Sequence, residues 1–110
     1  MTVPRSSVRI GGAAGYWGDS TQAPRQLVET GNVDYLVFDY LAEVTMSILV
    51  RAKATDPGKG YAADFVHLVM KPLLPDIKAR GIKVVVNAAG VNVAACAEAL
   101  RQVAADLAIP

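Results

Sequence analysis

Hydrophobic positions change their spacing several times along this chain, and each change marks an element. Val8-Arg9-Ile10 is a short run that glycines terminate, which predicts a first strand. Ser20 or Thr21 offers a helix cap, Pro24 falls where a first turn tolerates a missing N–H, and Gly31 marks a stop. These residues predict a helix from near Thr21 to about Thr30. Tyr35-Leu36-Val37-Phe38 is apolar throughout, the pattern of a strand buried on both faces, and Asp39-Tyr40 ends it. From Leu41 the spacing becomes helical, with Leu41, Val44, Thr45, Ile48, Leu49 and Ala52 on one stripe. Asp56-Pro57-Gly58-Lys59-Gly60 interrupts it and predicts a flexible loop. A third helix is expected from about Ala62, with Phe65, Val69, Leu73 and Ile77 on one side, kinked or split by Pro72 and Pro75 and ended by Gly81. Ile82-Lys83-Val84-Val85-Val86 predicts a strand stopped by Asn87-Ala88-Ala89-Gly90. Asn92 then caps a last helix whose stripe is Val93, Ala97, Leu100, Ala104 and Leu107.

The resulting order, β-α-β-α-α-β-α, predicts an α/β fold with a parallel sheet, right-handed crossovers and a three-layer, Rossmann-like arrangement. A doubly wound sheet and an arc of a (β/α) barrel share this order, so strand order stays open. Three parallel strands make a poor stand-alone domain, and the pattern stops at Ile109-Pro110, where a fourth strand would begin. Residues 1–110 are therefore expected to be the N-terminal part of a larger α/β domain.

Composition adjusts this picture in three ways. At 53% hydrophobic and 19% charged, the chain is not disordered, and it is more apolar than a domain of 110 residues needs, which points to an oligomer or to the remainder of a longer chain. Lys and Arg total 11 against 10 acidic residues, with no basic block, so no nucleic-acid partner is expected. The single cysteine excludes an internal disulfide and a multi-cysteine zinc site. No signal-peptide core and no stretch near the ~18 apolar residues of a membrane span occurs, so no membrane partner is expected and the expected location is the cytoplasm.

Ligands of parallel α/β sheets bind at the carboxyl ends of the strands, which brings three loops to one rim: Gly11 to Asp19, Asp39-Tyr40 running into Glu43, and Asn87 to Asn92. Asp39, Glu43 and Asp19 are the candidate catalytic residues. Gly12, Gly15, Asn87, Gly90 and Asn92 are candidates for ligand binding. The acids also have structural readings, since Asp19 and Asp39 could cap helices and Glu43 suits a first turn. Two carboxylates at the rim could serve as an acid–base pair or bind a hydroxylated substrate, but without a third ligand no metal site is expected. No cofactor is identified.

The first loop raises the question of a dinucleotide. Its glycines follow Gly12-x-x-Gly15-x-x-Gly18, with Tyr16 and Trp17 inside and a late helix start, whereas the pyrophosphate fingerprint needs G-x-G-x-x-G at a tight strand–helix turn. Asp39, 21 residues after Gly18 (39 − 18), keeps a ribose-binding acid open. Val86-Asn87-Ala88-Ala89-Gly90 echoes short-chain dehydrogenases, but no tyrosine has the lysine four residues on that those enzymes use. His67 has no supporting Asp or Ser and reads as a packing or surface residue, as does Cys96 among alanines. Trp17 must pack on its own domain or on an apolar ligand.

Three segments, "IGGAAGYWGDS", "DYLVFDYLAEVTMSIL" and "RGIKVVVNAAGVNVAACAEAL", together resemble the N-terminal region of the acyclic terpene utilisation (AtuA-like) family, in the family's order and over nearly the whole chain. Ala88-Ala89-Gly90 stands where the family often has two glycines, and Val93 where a proline is common. The resemblance implies a longer protein acting in the catabolism of acyclic terpenes such as citronellol and geraniol, on acyl-CoA derivatives, with a small-molecule ligand of acyl-CoA type. Two alternatives stand beside it: a non-catalytic interaction module of a carboxylase-type assembly, and a nucleotide- or cofactor-binding domain.

Overall fold

A computed structural model describes residues 7–110. Among them the elements are β1 (Ile10–Ala14), α1 (Gln22–Thr30), β2 (Tyr35–Phe38), α2 (Glu43–Thr55), a π-helical segment (Phe65–Met70) running into α3 (Lys71–Arg80), β3 (Lys83–Val86) and α4 (Val93–Asp106). The class, the parallel pairing and the β-α-β-α-α-β-α order are those the sequence predicts.

The strands lie side by side in the order β1-β2-β3. Tyr35 pairs with Ile10 on one side and with Lys83 on the other. Strands that step in one direction through right-handed crossovers place every connection on the same face of the sheet. Burial follows that rule. Gly11, Ala13, Leu36 and Phe38 are buried towards the helices, while Ile10, Gly12, Lys83 and Val85 are exposed on the other face. The chain thus supplies two layers among its described residues, not the three expected, and β2 is fully buried on one face only although all four of its residues are apolar. Its Tyr35 and Val37 are half-buried on the open side.

The first strand lies later than expected, with Gly11 and Gly12 inside it. A Cβ on Gly11 would meet Leu27 and Val33 side chains at 3.1 Å, so this glycine lets α1 approach the sheet closely instead of ending the strand. A β-bulge between Gly12 and Ala14 then steers the chain across the end of β2, where Ala14 O accepts from Asp39 N at 3.0 Å.

The core forms between sheet and helices. Phe65, Val69, Leu73 and Ile77 are all buried, as their spacing predicts. The Phe38 and Phe65 rings meet edge-on at 5.1 Å, and Tyr40 joins both. Pro72 splits this helix through hydrogen-bond geometry, whereas Pro75 lies inside α3 without ending it. Lys71 N–H reaches back five residues to Val66 O, so a wide π turn precedes Pro72, which then sits in the first turn of α3 where no N–H is required. In α4 the buried side chains are Cys96 and Val103, whereas Val93 is exposed, so the packed stripe is rotated from the expected one. The left-handed residue after α1 is Asn32 (φ 49°), not Gly31, which keeps a helical φ of −76°.

Candidate functional site

The three predicted loops do meet at the carboxyl ends of the strands, but their polar residues divide into different tasks. In the first loop, Asp19 Oδ2 accepts from Gly15 N at 2.9 Å and Oδ1 from Ser20 N at 2.7 Å. These two bonds, with help from Tyr16, hold the Asp19 carboxyl below its ordinary range. Asp19 N donates to Tyr16 O and Trp17 N to Tyr40 O. A phosphate cradle needs such N–H groups free. Here those of Gly15 and Asp19 are spent within the loop and that of Trp17 on the second loop, and a carboxylate of the chain lies where an anion would be held. Gly15 therefore closes a turn, and Gly12 lies in the strand instead of the loop. The nucleotide reading has no support from this geometry. Trp17 packs half-buried against the core.

The third loop is a clasp. Asn92 is buried; its Oδ1 caps α4 by accepting from Ala95 N at 3.2 Å, and its Nδ2 donates to Pro57 O at 2.9 Å and Lys59 O at 2.7 Å. Both ends of the amide are committed to backbone groups. Val91 N donates to Gly60 O, and Ala62 N to Ala88 O. The segment expected to be a flexible loop, residues 56–60, is thus fastened along its length, with Gly58 N also bonded to Asp56 Oδ1. Gly90 has φ +56°, and a Cβ there would lie 2.6 Å from both Gly60 O and Leu49 Cδ1. Gly90 and Asn92 hold the rim together. Gly60 (φ +114°) belongs with them, and the sequence reading missed it.

Asp39 and Asn87 form an exposed, hydrogen-bonded pair at the rim. Asn87 Nδ2 donates to Asp39 Oδ1 at 2.9 Å, and Asn87 Oδ1 accepts from Tyr40 N at 2.9 Å. One amide thus joins the ends of β2 and β3 and orients the carboxylate. Asp39 is not a helix cap: α2 begins after Ala42, whose N–H is held by Thr45 Oγ1 at 2.6 Å. Strand alternation places Asp39 and Asn87 on the open face of the sheet, above Val37 and Val85. These four residues, with Phe38 and Val86, line a shallow groove of about 390 Å³. Glu43 is exposed in the first turn of α2 and makes no side-chain hydrogen bond to Asp39 or Asn87.

Tyr40 is the neighbour that sequence reasoning passed over as a strand end. Its ring is buried against Phe38 and Phe65, and burial, with the charges of Asp64 and Asp19, pushes its phenol up to about 12. It stays a neutral hydrogen-bond donor in the physiological range. An aromatic residue directly after the acid at a strand's carboxyl end is the signal that could have found it. His67 is an exposed residue on the π-helical segment. Cys96 is buried, and burial pushes its thiol up, away from a reactive thiolate. Among the described residues no group of three His, Cys, Asp or Glu side chains comes together to hold a metal ion, and no helix is long and apolar enough to cross a membrane.

A carboxylate and an amide above an apolar groove can accept a hydrogen bond from a hydroxyl or take a proton. No curated protein matches the chain significantly, and no solved structure does. A family model described as "Acyclic terpene utilisation family protein AtuA" matches residues 8–110, which includes all three loops and every element of the fold. The chain therefore belongs to the acyclic terpene utilisation family AtuA.

Proposed function

We propose that this chain acts in the breakdown of acyclic terpenes, on branched acyl-CoA derivatives whose reacting end meets Asp39 and Asn87 at the strand ends. Family membership supports the pathway. The observation that carries the site is the exposed Asp39 carboxylate: Asn87 orients it, and among the described residues no helix cap or ion pair consumes it. In this reading Asp39 accepts a proton or a substrate hydroxyl, and Asn87 fixes its direction. Asp19, Gly90 and Asn92 shape the rim, and Glu43 sits at its edge.

The test is complementation. A strain lacking the gene, carrying Asp39→Asn, loses growth on citronellol and keeps growth on acetate, while the purified variant retains the native circular dichroism. Undiminished growth on citronellol refutes the role of Asp39. Binding gives a second readout. An acyl-CoA at a hundred times its Kd stabilises the native chain by about 2.7 kcal/mol, a rise in Tm of roughly 10 °C or more for a domain of this size. Citronellyl-CoA should produce that rise in the native protein and a smaller one in Asp39→Asn.

A further inference from the structure

Asn87 does more at the rim than set the direction of its neighbour's carboxylate. The backbone N–H of Tyr40 can only donate, and it bonds Asn87 Oδ1 at 2.9 Å. That bond settles which way round the amide stands. Its oxygen is turned to Tyr40, so its nitrogen faces Asp39, where one N–H donates to Oδ1 at 2.9 Å. An amide nitrogen carries two protons. Among the described residues the second proton of Asn87 Nδ2 has no acceptor, and Asp39 Oδ2 has no donor. The pair therefore presents one free donor beside one free acceptor, in a fixed order, over the apolar floor of Val37 and Val85.

A ligand that uses both groups must bring an acceptor and a proton close together. The acyl thioester of the proposed function has one acceptor at its reacting end, the carbonyl oxygen. It has no hydroxyl or N–H there. The nearest proton is the one on Cα, a single bond from the carbonyl carbon. Its removal leaves charge that moves onto the carbonyl oxygen, so a donor at that oxygen and a carboxylate at the C–H act on the same step. Both groups are set before the substrate arrives: Tyr40 N–H fixes the amide, and the amide fixes the carboxylate. Preorganised donors of this kind need no rearrangement as the charge develops.

We infer that this rim removes the Cα proton of an acyl thioester: Asp39 Oδ2 takes the proton, and the second Asn87 N–H holds the enolate oxygen. The Cα–H bond breaks as the Oδ2–H bond forms. The C–H electron pair becomes the second bond between Cα and the carbonyl carbon, and the carbonyl π pair moves to the oxygen. Return of the proton to Cα, or to Cγ in a β,γ-unsaturated thioester, restores the carboxylate with no electrons gained or lost. The reaction class is proton exchange or double-bond migration beside a carbonyl. Asn87 is then a catalytic residue in its own right. The inference rests on the acyl-CoA reading of the site, and its test separates the two.

Citronellyl-CoA is incubated with the full chain in D2O, and mass spectrometry reads deuterium at Cα. The native chain should incorporate deuterium there far faster than buffer does. Asp39→Asn keeps an oxygen for the Asn87 N–H but has no base, and exchange should fall to the buffer rate. Asn87→Asp keeps the oxygen that Tyr40 N–H needs but removes both amide donors, and exchange should fall roughly a hundredfold or more. Both variants should keep the native circular dichroism, so a merely structural role for Asn87 predicts no such loss in Asn87→Asp. Citronellyl-CoA that raises the native Tm yet gains no deuterium overturns the inference and leaves the acyl-CoA reading standing. Exchange that survives undiminished in Asp39→Asn or in Asn87→Asp also overturns it. Neither a Tm rise nor exchange overturns both.

Discussion

Removing the Asn92 side chain is the sharpest test of how the rim is built. In Asn92→Ala, α4 loses its cap, a cost of about 1 kcal/mol. The carbonyls of Pro57 and Lys59 lose the donor they share, at about 1 kcal/mol for each bond. The sum is about 3 kcal/mol, a large part of the ~5–15 kcal/mol that stabilises an ordinary domain. With a urea m-value near ~2 kcal/mol/M, the unfolding midpoint should fall by about 1.5 M. Asn92→Asp separates the two contributions. It keeps the acceptor for Ala95 N and adds a charge that suits a helix N-terminus, but it aims a carboxylate at two carbonyl oxygens. It should therefore be no more stable than Asn92→Ala at neutral pH, and should regain stability in acid, where the protonated carboxyl can donate to one carbonyl. Hydrogen exchange adds a local readout, because the Val91 amide bonded to Gly60 O should lose protection in both variants. The reasoning fails if Asn92→Ala unfolds within ~0.5 kcal/mol of the native chain, or if Asn92→Asp matches the native midpoint.

Three further outcomes follow from the same geometry. Gly90→Ala should cost about 3 kcal/mol by thermal denaturation, since it combines a left-handed φ with contacts at 2.6 Å, whereas Gly81→Ala, at φ +67° with open space around it, should cost only about 1 kcal/mol; equal losses would refute the packing account. Tyr40 has its phenol raised from 10.0 to about 12, so its contribution to stability is complete below pH 10 and lost as pH rises towards 12; Tyr40→Phe should flatten this alkaline limb in denaturation series, and an unchanged limb would contradict it. Asp19 is lowered from 3.8, so its contribution is present above that pH and lost as pH falls through the lower folded value; Asp19→Asn should weaken the acid dependence, and an identical acid limb would count against the loop staple.

The local patterns in this chain were legible because they are local. Apolar periodicity located Phe65, Val69, Leu73 and Ile77, and the split of that helix before Pro72 follows from that residue's missing N–H. Parallel strands joined by helices brought three loops to one rim, and Asp39 and Asn87 were found there by position alone. Glycine was the least legible residue, because its purpose depends on what lies beside it. Gly11 serves a helix leucine, Gly90 serves a carbonyl 30 residues away (90 − 60), and Gly12 faces open space.

By itself, then, the sequence determined the element order, the fold class, the family and the rim on which polar residues gather, since each is encoded in spacing along the chain. Tertiary structure decided what spacing cannot encode. The strand order β1-β2-β3 sends both crossovers to one face, and among the described residues the other face is left open. Only packing distinguishes the carboxylate of Asp39, held out at a groove, from that of Asp19, folded back onto its own backbone. A side chain's chemistry is set by the partners within hydrogen-bond reach, and in this rim those partners come from 47 and 48 residues away for Asn87 and from 33 and 35 for Asn92.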